Sequence, residues 1–393
     1  MRRLGYKHTV AACCIGYITQ AIVATFVPLL FVQFQNEYAV TLSQLSLLVF
    51  VTFAVQLMTD LALSKLLDFI SARVIVIVAH VFSAVGLAAM CFLPQLMSAK
   101  FAALMTAVVL YSIGGGMIEV IVSPLVTTCP SSNNPALMSV LHSFYSWGQV
   151  LVVLLSTAYF ALFGVANWRY MALVWAALPT LNAIYFCFVP VDDITDNSGG
   201  SGKAVFSKAF FIMLAVMLCA GASEIAIGQW ASAFAEEGLG ISKTQGDLAG
   251  VCLFAVGMGL SRVLYSRLSG RIRLIDFMIV SAVFCIAGYL ISALVPVPLL
   301  ALAGCAICGF SVGIMWPGTL SLASKHIKGS GGMFALLAFG GDIGCSVGPA
   351  VVGLVSQQTG GQLRHGLLAA TVFPLMLLVG IIAMKHSFAK AEQ

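Results

Sequence analysis

The sequence predicts an all-α membrane protein: twelve transmembrane helices in two pseudo-symmetric six-helix halves, with both termini cytoplasmic. Three observations predict it. The chain is 61% hydrophobic and 8% charged, with a mean hydropathy of +1.04, whereas a soluble domain is about 25% charged. Apolar runs of about 20 residues, long enough to cross the hydrocarbon as helices, recur twelve times. The one long polar, glycine-rich break, Asp192 to Lys203, has six runs on either side.

The runs lie near residues 8–32, 43–64, 74–94, 101–126, 136–163, 168–190, 208–235, 244–267, 275–296, 298–323, 331–357 and 364–385. They group into an N-terminal half (1–190), a linker (191–207) that reads as a tether, and a C-terminal half (208–393). With a cytoplasmic N-terminus, fifteen Lys and Arg fall on the inner side, and only Lys100, Arg169, Lys243 and Arg364 fall on the outer side. That satisfies the positive-inside rule and makes the net charge of +5 topological, with no nucleic acid implied. The first run follows Arg2, Arg3 and Lys7, is too long for a signal peptide and lacks a cleavage site, so it reads as a span. The eleven cysteines contain no CxxC pair and read as small core residues.

The halves resemble each other. Phe53-Ala54-Val55 in the second run recurs as Phe254-Ala255-Val256 in the eighth, and Gln44 matches Gln245 at the same offset. A second offset pairs Gly116 with Gly309, Pro124 with Pro317, and Gly148-Gln149 with Gly341-Asp342. Matched positions in two halves mark a transporter built from parallel repeats.

On these residues the whole chain resembles the major facilitator superfamily. That family's loop signature between spans two and three survives in degraded form as Ser64-Lys65-Leu66-Leu67-Asp68-Phe69-Ile70-Ser71-Ala72-Arg73, with both glycines replaced. The resemblance implies a gating role for Asp68 and Arg73. A narrower likeness lies in Glu119-Val120-Ile121-Val122-Ser123-Pro124 and His142-Ser143-Phe144-Tyr145-Ser146-Trp147-Gly148, which are similar to segments of the fucose:proton symporter family. Ser123, His142 and Tyr145 depart from its polar positions, and the first span lacks that family's acid. The branch is implied; fucose is not.

Four carboxylates stand in stretches otherwise built for lipid: Asp60, Glu119, Glu224 and Asp342. A charge at the bilayer centre costs roughly 3 kcal/mol, so an intramembrane acid reads as functional by default. A carboxyl in low dielectric favours its protonated form, which suits it to carry a proton between two states of a protein. Glu119, before Pro124 and below Gly114-Gly115-Gly116, is the leading proton-coupling residue, against a structural, hydrogen-bonded acid. Glu224 either faces a cavity and shares in coupling or pairs with a neighbouring helix. Asp342, among glycines, either couples or belongs to a packing motif. Asp60 stands one position from the repeat equivalent of Arg262, which favours a structural charge pair at a gate over coupling.

A sugar-like solute needs flat apolar surfaces and several hydrogen-bonding groups. Tyr17, Gln20, His142, Tyr145, Trp147, Gln149, Gln229, Trp230 and Trp316 supply them as substrate-binding residues, with interfacial belts as the alternative for Trp and Tyr and a satisfied core histidine for His142. There is no metal-ligand spacing, no Walker loop and no catalytic triad spacing, hence no enzyme and no cofactor; the energy comes from a proton gradient, with Na⁺ as the alternative ion.

The expected protein is a multi-pass protein of the bacterial inner membrane that moves a small polar solute, a sugar, by proton symport through alternating access. The alternatives are a proton-driven exporter of amphipathic compounds, which the sixteen methionines suit, and a membrane receptor or enzyme without transport. Its partners are the solute and the lipid bilayer, and no protein partner is demanded.

Overall fold

The computed structural model describes residues 4–66, 69–130, 134–192, 207–269, 271–326 and 331–391. Asp68, expected at a gate, and most of the expected linker (193–206) lie outside them. Among the described residues, twelve helices are long and apolar enough to cross a membrane: α1 (Tyr6–Tyr38), α2 (Leu42–Leu63), α3 (Ala72–Leu96), α4 (Lys100–Val126), α5 (Val140–Phe163), α6 (Val165–Phe188), α7 (Lys208–Gly238), α8 (Lys243–Leu268), α9 (Leu274–Leu294), α10 (Pro298–Ala323), α11 (Leu336–Gln358) and α12 (Leu363–His386). The all-helical, twelve-span class expected from composition is what the chain forms.

Each helix follows from its pattern. On α3, Ile75, Val76, Ala79, Ser83, Leu87 and Met90 are buried, while Val81, Val85 and Phe92 are exposed on the opposite side. A helix apolar all round, buried along one stripe and exposed along another, is one whose free face meets lipid. Some irregular points coincide with prolines, whose ring removes an N–H donor and crowds the carbonyl four residues back. Pro28 turns α1 into a short 3₁₀ stretch at Pro28–Leu30 before helix resumes at Phe31. The turn between α11 and α12 uses Gly360 and Gly361, whose φ of +76° and +83° suit residues without a Cβ.

The chain divides into two compact units, Met1–Val40 with Val51–Asn197, and Thr41–Phe50 with Ser198–Gln393. In the first, α3 packs on α4 and α6, and α1 packs on α4, α5 and α6. In the second, α9 packs on α10 and α12, and α7 on α11 and α12. The same pairings therefore recur six helices later. The first core is aliphatic and small (Ala12, Val76, Ala79, Ile118, Ile121, Val122). The second is rich in fully buried methionine (Met213, Met217, Met278, Met315, Met384).

Basic residues at helix starts tie the units internally. Arg73, expected at a gate, donates from Nη1 to the carbonyls of Phe186 (2.7 Å) and Cys187 (3.3 Å), capping the end of α6. Arg169 pairs with Glu37 and stacks over Trp168. Arg364 donates to Val295 O at 2.6 Å and lies over Phe234. All eleven cysteines are free, and only Cys187 among them is exposed.

Candidate functional site

Between residues 107 and 126 on α4, Glu119 is the one exposed side chain. Its neighbours Ile118, Ile121 and Val122 are fully buried on the core side. A charged carboxyl is costly against lipid, so one that stands off the core in mid-helix calls for polar surroundings. Gln20 of α1 holds it, with Nε2 donating to Glu119 Oε2 at 3.2 Å.

The three glycines above Glu119 explain how Gln20 gets there. A Cβ on Gly114 would stand 2.5 Å from Ala79 O, so α3 lies directly against this turn. A Cβ on Gly115 would stand 2.7 Å from both Gln20 Oε1 and Gln56 Nε2. A Cβ on Gly116 would meet the backbone of Gln56 at 2.8 Å and Asp60 Oδ1 at 3.0 Å. Three residues without side chains let three helices approach α4 and bring two amides and a carboxylate to one spot.

Other expected residues continue this surface. The Tyr17 hydroxyl bonds Ser123 Oγ at 3.0 Å, and its ring packs 5.2 Å from the His142 ring. Gln149 Nε2 donates to the Tyr145 hydroxyl at 3.4 Å. His142, Tyr145 and Gln149 fall at i, i+3 and i+7 and so share one face of α5. Trp147 does not join them. It is 52% exposed in a stripe with Val140, Leu151 and Leu154 on a different face of the helix.

In the second unit the half-buried Glu224 of α7 has the Arg262 guanidinium as its charged neighbour. Arg262 also donates from Nε to Gly313 O at 3.0 Å. That carbonyl is four residues before Pro317, which lacks the N–H to bond it, and α10 opens here into Pro298–Val312 and Met315–His326. Arg262 supplies the donor that the proline withholds. The Trp316 ring packs against Gly341, with Cζ3 2.2 Å and Cη2 2.4 Å from where a Cβ would be, beside the half-buried Asp342. Trp230 is fully buried and donates to Pro349 O at 3.0 Å, and Gln229 is 7% exposed.

Sequence reasoning missed Gln56, which carries no charge and matches no motif. It also missed a buried cluster where Lys243 Nζ reaches Asp247 Oδ1 (2.9 Å), Glu236 Oε1 and Ser232 Oγ (both 3.2 Å). The i, i+4 spacing of Lys243 and Asp247 was the available signal. Among the described residues no three His, Cys, Asp or Glu converge as metal ligands.

No curated protein sequence matches the chain. Solved structures share its fold. The nucleoside transporter NupG, as a mutant, superimposes with a TM-score of 0.76 at 12% identity over 96% of this chain and 99% of that one. A D-xylose-proton symporter gives 0.75 at 16% identity, over 96% and 95%. The fucose:proton symporter FucP of E. coli gives 0.61 at 17% identity, over 95% and 98%. At such identities the likeness speaks for the fold. The sequence pattern of the Major Facilitator Superfamily matches residues 10–349, nearly the whole chain. With its twelve membrane-length helices, the chain is a multi-pass membrane transporter of the Major Facilitator Superfamily.

Proposed function

We propose that the chain is a proton-coupled symporter of a small neutral, hydroxylated solute of the sugar class, working by alternating access. The observation that carries the reading is Glu119, the lone exposed side chain of its stretch of α4, held by Gln20 on the surface where Tyr17, His142, Tyr145 and Gln149 gather. An acid so placed can take a proton from water, and the adjoining hydroxyls, amides and rings suit a sugar's polar edges and apolar faces. In the second unit Glu224 and Asp342 are secondary coupling residues and Gln229 and Trp316 are candidate solute contacts, whereas Trp230, expected there too, is fully buried and gives its indole N–H to Pro349 O. Asp60, Asp68, Arg73 and Arg262 serve the gates.

Several features support this reading. The symporters that share the fold are named for fucose and D-xylose. The positive-inside pattern supports cytoplasmic termini in a bacterial inner membrane. Export of amphipathic compounds is the weaker reading: Met213, Met217, Met278, Met315 and Met384, the adaptable residues such a pocket would expose, are packed in the second core. Coupling by Na⁺ is the alternative to protons, and neither a cofactor nor a protein partner enters the reading.

The test is the external pH of lightly buffered, deenergised cells as each of a panel of sugars is added. Alkalinisation with one sugar, lost in Glu119→Gln, is expected. Uptake of a sugar without any pH change, surviving Glu119→Gln, would overturn proton symport and return Glu119 to a structural role.

A further inference from the structure

The first unit contains a chain of hydrogen bonds with one link missing. Gln20 Nε2 donates to Glu119 Oε2 at 3.2 Å. The other end of the same amide, Gln20 Oε1, has no partner, and neither has Nε2 of Gln56. Both residues are deeply buried, 5% and 4% exposed. Both orphaned atoms lie 2.7 Å from the point a Cβ on Gly115 would occupy, so they stand no more than twice that distance apart across the face of one glycine.

Buried donors and acceptors are nearly always satisfied, and leaving them unmade penalises the state that does so. Here the orphans are complementary: one is a carbonyl oxygen and the other an amide N–H. Gly115, with no side chain, leaves the space between them open to closure by a small movement of either helix. Asp60 lies one turn beyond Gln56 with its Oδ1 3.0 Å from the corresponding point on Gly116, so the carboxylate and the Gln56 amide address neighbouring glycines.

We propose that Gln56 is a positioning residue for Glu119 that acts through Gln20: the Gln56–Gln20 hydrogen bond open in this structure is made in the other state of the transport cycle, where it fixes the Gln20 amide on the Glu119 carboxyl. An amide that accepts at its oxygen donates more strongly from its nitrogen, since hydrogen bonds in a chain polarise one another. Closing the link therefore tightens the hold on the Glu119 carboxyl, and opening it loosens that hold. This rests on Glu119 as the proton carrier and assigns that carrier its conformational sensor.

The test is infrared spectroscopy of the purified full-length protein in liposomes at acidic pH, following the protonated-carboxyl C=O band that Glu119→Gln removes. Gln20→Leu should move this band to higher wavenumber, as a carbonyl group losing a hydrogen bond does. Gln56→Leu should move it the same way, and the double variant no further than Gln20→Leu alone. Gly115→Ala, which keeps both amides but places a methyl between them, should reproduce Gln56→Leu and serves if that variant does not fold. A band unmoved by Gln56→Leu and Gly115→Ala, or shifts that add in the double variant, would overturn the relay and leave the coupling role of Glu119 standing. Absence of any band removed by Glu119→Gln would overturn both.

Discussion

The two units carry the same glycine-and-proline repeat on α4 and α10 and use it differently. In the first, Gly114, Gly115 and Gly116 admit polar side chains, and the helix runs on through Pro124. In the second, Gly309 and Gly313 admit backbone: a Cβ on Gly309 would stand 2.2 Å from Phe254 O, and one on Gly313 2.5 Å from Met258 O. There the helix opens, and Arg262 caps the freed carbonyl. The offset that pairs Pro124 with Pro317 pairs Val120 with Gly313. Here glycine stands at the crowded carbonyl where α10 breaks, and a stiff β-branched valine stands there where α4 stays continuous. One repeat thus builds a continuous helix presenting an acid and a broken helix clamped by a cation.

The largest effect should come from setting the two acids against each other. Glu119→Gln is expected to lower proton-linked uptake by roughly a hundredfold or more, the scale of losing a positioned proton carrier. Glu224→Gln, whose carboxylate has Arg262 for a neighbour, should lose less. Equal losses in transport assays of both variants would erase the distinction between the units.

Helix packing offers the next contrast. A Cβ on Gly344 would stand 1.9 Å from Leu218 O, whereas one on Gly148 in the first unit would meet the Ala21 methyl at 2.9 Å. Gly344→Ala should cost about 3 kcal/mol or more and Gly148→Ala about 1 kcal/mol. Thermal unfolding of detergent-solubilised protein ranks them.

Arg262→Met removes the donor to Gly313 O and leaves Glu224 without its cation, for about 2–3 kcal/mol. Adding Glu224→Gln should restore part of that stability. If it restores none, the clamp on α10 is the whole role of Arg262. The smallest effect is expected from Val120→Gly, which gives α4 the residue of α10 at a cost of about 0.5–1 kcal/mol. If the comparison holds, hydrogen exchange around Pro124 should rise toward that around Pro317; unchanged exchange would mean that the glycine is not what opens α10.

Much of this was legible in the chain because crossing hydrocarbon imposes length and apolarity on every span, and both are local properties. The twelve spans follow from counting, and the family from the resemblance of the loop between spans two and three and of the matched halves. Trp147 shows the limit. It lies in the same motif as His142 and Tyr145, yet helical rotation carries it to the exposed apolar stripe while they share a face with Gln149. Gln56 shows the converse, a neutral residue without a motif that matters through what lies across Gly115.

The sequence by itself determined how many helices are long enough to cross the membrane, to within several residues where they lie, and which carboxylates they carry, because these depend on residues close in the chain. Only the tertiary structure decided that Gln20 holds Glu119, that Arg262 answers Pro317 and that Trp230 spends its indole on Pro349. Each of those joins groups tens to about a hundred residues apart, and which of several buried donors meets which acceptor is set by how closely the helices approach, and so by where the glycines stand.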